Sequence, residues 1–348
     1  MPPDELIPRR KDELSLGKAK SSEITSRMAN DLLAIKKDEV LDDAVVHFKC
    51  KNLEEALREE LDIRDRPIMR KDLVGTTEID LDEKEIKNLS GLEGMTQIEN
   101  LSLLYNHIED ISPLGNMTQI TTLRLDYNHI EDISPLGNMT QLERLDLEGN
   151  EISDISPLKG MTQMTTLLIS DNKIEDISPL RNMSLIKYLR LAENKISDIS
   201  PLKGMTQMEV LSLRSNHIED ISPLKDMTQI KWLDLDINKI SDISPLQDMT
   251  QIDQLVLSDN KIEDISPLKD MTQMKLLHLH ENKISDISPL RNMSLIMYLR
   301  LAENKISDIT ILFSLTKLER LALDGNPISN SQKERLKEEL PNCSIQFS

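Results

Sequence analysis

The sequence contains 348 residues, of which 38% are apolar and only eight are Phe, Trp or Tyr. A single globular core of this size normally holds more aromatic residues, so the composition predicts many small aliphatic layers instead. Asp and Glu number 61 against 42 Lys and Arg, which gives a formal net charge of −19. Such a field repels phosphate backbones and anionic headgroups, and therefore argues against nucleic acid and membranes as partners.

The first 75 residues divide into two segments. Residues 1–20 form a polar head that we expect to be disordered, because the head contains three prolines and no apolar core. It lacks the apolar stretch of a secretory signal, which favours a cytoplasmic protein or a delivered effector. If the N-terminus was trimmed, a secreted or cell-surface location fits instead.

Residues 21–75 are predicted to form a helical N-terminal segment and cap. Apolar residues between 22 and 37 recur on one helical face, which indicates an amphipathic helix. Asn52 precedes the run LEEALREEL, and Glu55 follows three residues later, so this pair is the predicted N-cap of a second helix.

Residues 76–317 consist of eleven units of 22 residues without insertion or deletion, and 318–348 contain a last repeat and C-terminal cap. In the unit 208–229, Leu211 and Leu213 alternate with polar or outward residues, which indicates a short strand. The Ser-Pro-Leu segment that follows suits a short helical return. The chain is therefore predicted to be an α/β solenoid, right-handed and curved, with twelve parallel strands on its concave side and helical caps. Ser331 is the predicted N-cap of the last helix.

Each unit carries an asparagine where the chain leaves the strand. A buried asparagine at a turn can bond backbone groups of its own coil and its neighbour, so we expect a structural ladder. Lys84 occupies this position in the first unit. The predicted ladder consists of Asn106, Asn128, Asn150, Asn172, Asn194, Asn216, Asn238, Asn260, Asn282, Asn304 and Asn326.

The sequence contains no motif that predicts catalysis, a cofactor or a metal site. The aspartates that precede Ile in each return, such as Asp110 and Asp132, recur with the period and are interpreted as structural. His278 and His280 alternate on one predicted strand, where two imidazoles could bind a metal given a third ligand. The neighbouring strands offer no good ligand, so we interpret the pair as partner-contacting.

Tyr and Trp residues occupy only the variable sites that flank the strand leucines. These amphipathic aromatics supply much of the binding energy at protein interfaces, so their placement favours recognition over gap filling. Other outward positions vary while the framework does not, which is how a solenoid encodes specificity. The predicted protein-binding residues on the concave face are Tyr105, Tyr127, Tyr188, Arg190, Arg214, Trp232, Asp234, Asp236, His278, His280, Tyr298 and Arg300. We expect the ring of Trp232 to stand clear of the core.

The repeat L-x-x-L-x-L-x-x-N-x-I-x-D-I-x-P-L resembles the 22-residue leucine-rich repeat of bacterial internalins. Residues 45–73 resemble the helical N-terminal cap of that family, and 326–347 resemble a common leucine-rich-repeat C-terminal cap. The resemblance implies a monomeric, non-catalytic protein-binding module, with a role in contact between host and bacterium. Stacked 22-residue repeats also resemble the regulator of protein phosphatase 1, which implies an intracellular regulatory subunit as the alternative.

Overall fold

The computed structural model describes residues 44–347, and the chain forms two compact units. The described part of the first unit comprises 44–46 and 67–72. There Val45 and Met69 form an antiparallel bridge, and the Val46 amide donates to the Ile68 carbonyl at 2.9 Å. The second unit comprises 47–66 and the chain from Leu73 onward. The helix predicted for 22–37 lies outside the described residues.

Three α-helices are described: α1 (Lys51–Glu60), α2 (Arg70–Leu73) and α3 (Asn330–Glu339). The strands are β1 (Glu78–Asp80), β2 (Asn100–Ser102), β3 (Thr122–Arg124), β4 (Arg144–Asp146), β5 (Thr166–Leu168), β6 (Tyr188–Arg190), β7 (Val210–Ser212), β8 (Trp232–Asp234), β9 (Gln254–Val256), β10 (Leu276–His278), β11 (Tyr298–Arg300), β12 (Arg320–Ala322) and β13 (Ser344–Gln346). Short 3-10 helices cover Ser112–Leu114, Ser134–Asn138, Ser156–Leu158, Ser178–Asn182, Ser200–Leu202, Ser222–Leu224, Ser244–Leu246, Ser266–Leu268, Ser288–Asn292 and Thr310–Ser314. In the described part of the chain, no helix has the length and apolar character needed to cross a bilayer.

The strands form one sheet in chain order, and every pair of neighbours is parallel. Partners lie one repeat apart, so Leu233 pairs with Leu211 on one side and with Leu255 on the other. The sheet has thirteen described strands, and the prediction of twelve is therefore wrong. The extra strand, β13, follows α3 and pairs with the edge that β12 would otherwise leave open. This array is the predicted leucine-rich-repeat solenoid.

The core consists of one aliphatic layer per coil. In the coil that contains β7, Leu211, Leu213, Ile218 and Leu224 have no exposed side-chain surface. Each layer is too small to close alone, and stacking the coils makes it part of a continuous interior. In the nine successive returns from Pro113 to Pro289, the proline lies in the first turn of a 3-10 helix, where its fixed φ is tolerated.

The asparagine ladder is confirmed. The side-chain amide of Asn216 donates to the carbonyls of Leu191, Leu213 and Arg214 at 2.9–3.1 Å. Its Oδ1 accepts from the Ile196 amide at 2.9 Å. Each ladder residue therefore satisfies backbone groups of two coils at once, which joins neighbouring layers by polar as well as apolar contacts.

The aspartates of the returns also have the structural role that the sequence predicts. Asp220 Oδ1 accepts from the Ser222 amide at 2.8 Å, and its Oδ2 accepts from the Ser222 hydroxyl at 2.9 Å. The same arrangement recurs in the other Asp-Ile-Ser returns, for example at Asp154 and Asp264. These carboxylates start the 3-10 turns and are not a separate site.

Both predicted helix caps are wrong in detail. Helix α1 begins at Lys51, one residue before the predicted cap, and has no side-chain N-cap bond. Asn52 instead donates to the Lys84 and Glu85 carbonyls at 3.1 and 3.2 Å, in the one coil whose ladder position is a lysine. Glu55 pairs with Lys51 at 2.8 Å rather than with Asn52.

At the other end, Ser329 rather than Ser331 caps α3. Ser329 has the extended backbone that an N-cap requires, and its hydroxyl accepts from the Gln332 amide at 3.4 Å. Ser331 lies inside the first turn, because the helix starts at Asn330. The guanidinium of Arg335 lies 4.7 Å from the centre of the Phe313 ring, which holds α3 against the last return.

Candidate binding surface

The outer side of the sheet is called the strand face. It contains the first and third residues of each strand and the residue two positions after the strand. The middle residue of each strand, such as Leu233, points into the core, so the flanking residues point outward. In the leucine-rich-repeat fold this is the concave side.

A second line of residues borders the strand face. It consists of the residue just before each ladder position, and we call it the turn row. Every member has a positive φ, from 47° at Asp259 to 72° at Gly325. The left-handed backbone bends the chain sharply out of the strand and turns these side chains toward solvent. The turn row comprises Glu83, Tyr105, Tyr127, Gly149, Asp171, Glu193, Ser215, Ile237, Asp259, Glu281, Glu303 and Gly325.

Tyr188 and Tyr298 occupy equivalent positions, as the first residues of β6 and β11. Both are half-buried, but their surroundings differ. The Tyr298 hydroxyl donates to Glu319 Oε2 at 2.9 Å. The residue equivalent to Glu319 beside Tyr188 is Glu209, which pairs with Lys231 at 2.8 Å. The near-identical coils therefore present two different tyrosine environments.

Trp232 lies on the strand face, but only 4% of its side chain is exposed. The expectation that its ring stands clear of the core is therefore wrong. It begins a central strand and is flanked in register by Val210 and Gln254, and strands lie only about 4.8 Å apart. A broad indole in that position is covered from both sides. On the same strand, burial raises the pKa of Asp234 to about 6.

Asp236, Ser258 and His280 each lie two residues after the end of a strand, β8, β9 and β10 respectively. They form one row on three successive coils. One polar atom of each (Oδ1, Oγ and Nδ1) is buried and has no hydrogen-bond partner among the described residues. Arg214 lies on the preceding coil, with its Nε 3.6 Å from Asp236 Oδ2. Sequence reasoning selected Asp236 and His280 but not Ser258. Aligning the same position over successive repeats is the signal that identifies it.

His278 and His280 form an edge-to-face pair with ring centres 6.3 Å apart. Burial, and then the charges of Arg300 and His280, lower the pKa of His278 to about 4. Over residues 44–347, no group of three or more His, Cys, Asp or Glu residues has an arrangement suited to a metal ion. Arg300 itself is exposed on β11, and Arg190 occupies the equivalent position on β6.

Tyr105 and Tyr127 lie in the turn row and stack on one another, with ring centres 4.4 Å apart and planes within 10°. They are among the most exposed large hydrophobic residues of the described chain, at 53% and 43%. A Cβ atom added to Gly149 would lie only 2.7 Å from Tyr127 Cδ1. The absence of that atom lets the Tyr127 ring lie over the backbone of the next coil.

Beside this pair the strand face is acidic. Arg124 lies 3.6 Å from both Asp82 and Asp126. Asp146 is buried, and its Oδ1 accepts from the Glu148 amide at 3.4 Å. Burial raises the pKa of both Asp126 and Asp146, and the charge of Asp126 is the second cause of the rise at Asp146. Asp126, Asp146 and Glu148 are among the variable outward positions of the sequence, but not among the residues predicted as direct contacts.

Comparison with known proteins agrees with this architecture. The family model for leucine-rich repeats in two copies matches residues 118–160, 162–204, 206–248 and 250–292. No curated protein sequence matches the chain. Among solved structures, internalin InlF from Listeria monocytogenes is 35% identical, with a TM-score of 0.85, and the match covers 88% of this chain and 92% of InlF.

Two further structures share the fold at lower identity. A leucine-rich-repeat protein from Leptospira interrogans is 23% identical with a TM-score of 0.72, and the match covers 78% of this chain and 72% of that protein. The functional domain of InlJ from Listeria monocytogenes is 19% identical with a TM-score of 0.70, over 86% of this chain and 69% of that domain. The identity to InlF over nearly the full length of both chains is decisive, and the chain belongs to the internalin family of bacterial leucine-rich-repeat proteins.

Proposed function

We propose that the chain is a non-catalytic module that binds a protein through the strand face, and that this protein belongs to a host. The single observation that carries the proposal is the distribution of side chains over the repeat. The core, the ladder and the returns repeat almost unchanged, while large aromatic and charged side chains change from coil to coil on the strand face and turn row. Variation limited to one side of a uniform scaffold supports recognition.

The residues proposed to contact the partner protein are those of the strand face and turn row that solvent can reach. Tyr188 and Tyr298 supply partly exposed rings, and Arg214 and Arg300 are exposed charges. Trp232 and Asp234 are buried, so they support the surface from below rather than touch the partner first. Asp236, Ser258 and His280 each have one buried polar atom without a hydrogen bond, and a partner can supply those bonds, because buried polar groups are normally satisfied. The remaining contacts are Tyr105, Tyr127, Arg190 and His278.

Ile237 gives independent support for this location. It lies in the turn row of the coil that contains Trp232, with a φ of 53° and 37% of its side chain exposed. A β-branched residue in the left-handed region is strained by roughly 1–2 kcal/mol. The left-handed turn belongs to every coil, so Ile237 is distinguished by an exposed β-branched apolar side chain where most coils carry a polar residue or glycine.

Replacing Ile237 by asparagine should therefore have effects of opposite sign on folding and binding. Asparagine tolerates a positive φ, so the free energy of unfolding should rise by about 1 kcal/mol. Loss of the apolar contact should weaken the complex with the partner several-fold. Denaturant melts and titration calorimetry on the same preparation measure both quantities.

The matched control is Ser215→Asn, in the turn row of the preceding coil with a φ of 52°. It should gain less stability, since serine is not β-branched, and should leave affinity nearly unchanged. An Ile237→Asn variant that is more stable and binds as tightly as the unaltered protein would place the contact surface elsewhere.

A further inference from the structure

The stacked tyrosines and the acids beside them have an unbalanced charge. Five acidic side chains, those of Asp82, Glu83, Asp126, Asp146 and Glu148, lie on or next to the coils that carry the tyrosine pair. Two guanidinium groups, those of Arg124 and Arg144, lie among them. The coils therefore hold more negative than positive charge at the edge of the strand face.

Two observations indicate that this charge is incomplete without a ligand. Only 5% of Asp126 is exposed, and its buried Oδ1 has no hydrogen-bond partner among the described residues. The nearest cation, Arg124, is shared between Asp126 and Asp82 at 3.6 Å, which is long for a charge-assisted bond. Burial, then the neighbouring Tyr105, and then the acids Glu148, Asp126 and Asp146 raise the pKa of Tyr127 to about 12.

The tyrosine pair supplies the aromatic surface that completes a cation site. One face of the Tyr105 ring stacks on Tyr127, and no described aromatic ring or cation lies over its other face. The preceding coil carries Glu83 in the turn row, with an exposed side chain. A planar cation that stacks on the Tyr105 ring can donate hydrogen bonds, in its own plane, to the carboxylates beside the ring.

We propose that the Tyr105–Tyr127 pair, with Glu83 and the acids of the adjoining strand face, binds an arginine side chain of the partner protein. The guanidinium is planar, stacks on aromatic rings and forms forked bonds to carboxylates, whereas an ammonium group offers only a point charge. This inference rests on the proposed protein-binding function and names the chemistry of one contact. Gly149 positions the pair, because it leaves room for the Tyr127 ring.

The test uses the full chain and two labelled peptides, acetyl-(Gly-Arg)3-amide and acetyl-(Gly-Lys)3-amide, in fluorescence anisotropy titrations. The arginine peptide should bind roughly three- to fivefold more tightly than the lysine peptide. Tyr105→Leu should reduce that ratio to about one while both peptides keep their charge attraction. Leu185→Ala, which removes an exposed apolar side chain outside the strand face and the turn row on a distant coil, should leave the ratio unchanged.

Gly149→Ala provides a second variant that removes no ligand contact. The new methyl group would displace the Tyr127 ring, and the arginine preference should be lost. Gly325→Ala is its matched control, because it also has a positive φ in the turn row (72° against 65°) but its Cβ would meet Glu303 instead. The two variants carry the same backbone strain. A difference between their preferences for the arginine peptide therefore reports the position of the Tyr127 ring.

Equal binding of the two peptides to the unaltered chain would overturn the proposal, as would an arginine preference that survives Tyr105→Leu. Binding that develops only after Arg9, Arg10 and Lys11 are replaced by alanine would also overturn it, and would assign the site to the chain's own basic segment. A negative peptide result leaves the protein-binding function standing, since that function is tested by a different readout at other coils.

Discussion

Trp232→Ala should destabilise the protein more than any other substitution on the strand face, by roughly 3–5 kcal/mol in the free energy of unfolding. The side chain is 4% exposed and lies between β7 and β9 in the middle of the sheet. Removing it leaves a cavity that the rigid coils on either side cannot close. Chemical denaturation of the two proteins measures the difference.

The control is Tyr298→Ala, at the same strand position on β11. That ring is only half-buried, and its hydroxyl bonds an exposed carboxylate, so the loss should be about 1 kcal/mol or less. Equal denaturation midpoints for the two variants would contradict the assignment of Trp232 to the packed part of the structure.

Asn216→Ala should lower the free energy of unfolding by roughly 1–3 kcal/mol. The substitution strands the Ile196 amide and three carbonyls on two coils, which are buried away from water. The effect should be larger than that of Asn326→Ala, although both asparagines make the same set of bonds. A mid-array coil supports neighbours on both sides, whereas Asn326 lies in the last coil and is partly exposed.

Urea melts of both variants test this account. If Asn216→Ala lowers the free energy of unfolding more than Asn326→Ala does, the result agrees with cooperative stacking of the coils. Midpoints that coincide would show that each coil depends only on its own bonds.

The period of 22 residues determines which residues meet, and for that reason most of the fold could be predicted from sequence. Leu211, Asn216 and Pro223 recur at fixed spacing, so strand, ladder and return follow from one unit. The period also places Tyr105 and Tyr127 in adjacent coils, and their stacking needs no further assumption.

Burial depth and cap chemistry could not be predicted in the same way. The register places Trp232 on the outer side of the sheet but does not say how far its neighbours cover it. Asn52 resembles an N-cap in sequence, yet its amide serves a carbonyl 32 residues away. The thirteenth strand depends on α3 returning the chain to β12, a contact that no local pattern encodes. The alternative function, an intracellular regulatory subunit, uses the same fold and differs only in the partner that is bound. It stays a hypothesis.

The proposed function requires that the partner protein contacts the strand face. Site-specific photo-crosslinking tests it directly, with a benzophenone side chain placed at Tyr188 or Tyr298 on that face and at Lys203 or Lys225 as exposed controls beside the returns. The partner captured by the unaltered chain from host-cell extract serves as the target in purified form. We expect covalent adducts from the two strand-face positions and only background from the two controls. Adducts that form from Lys203 or Lys225 but not from Tyr188 or Tyr298 would contradict the claim and move the binding surface to the returns.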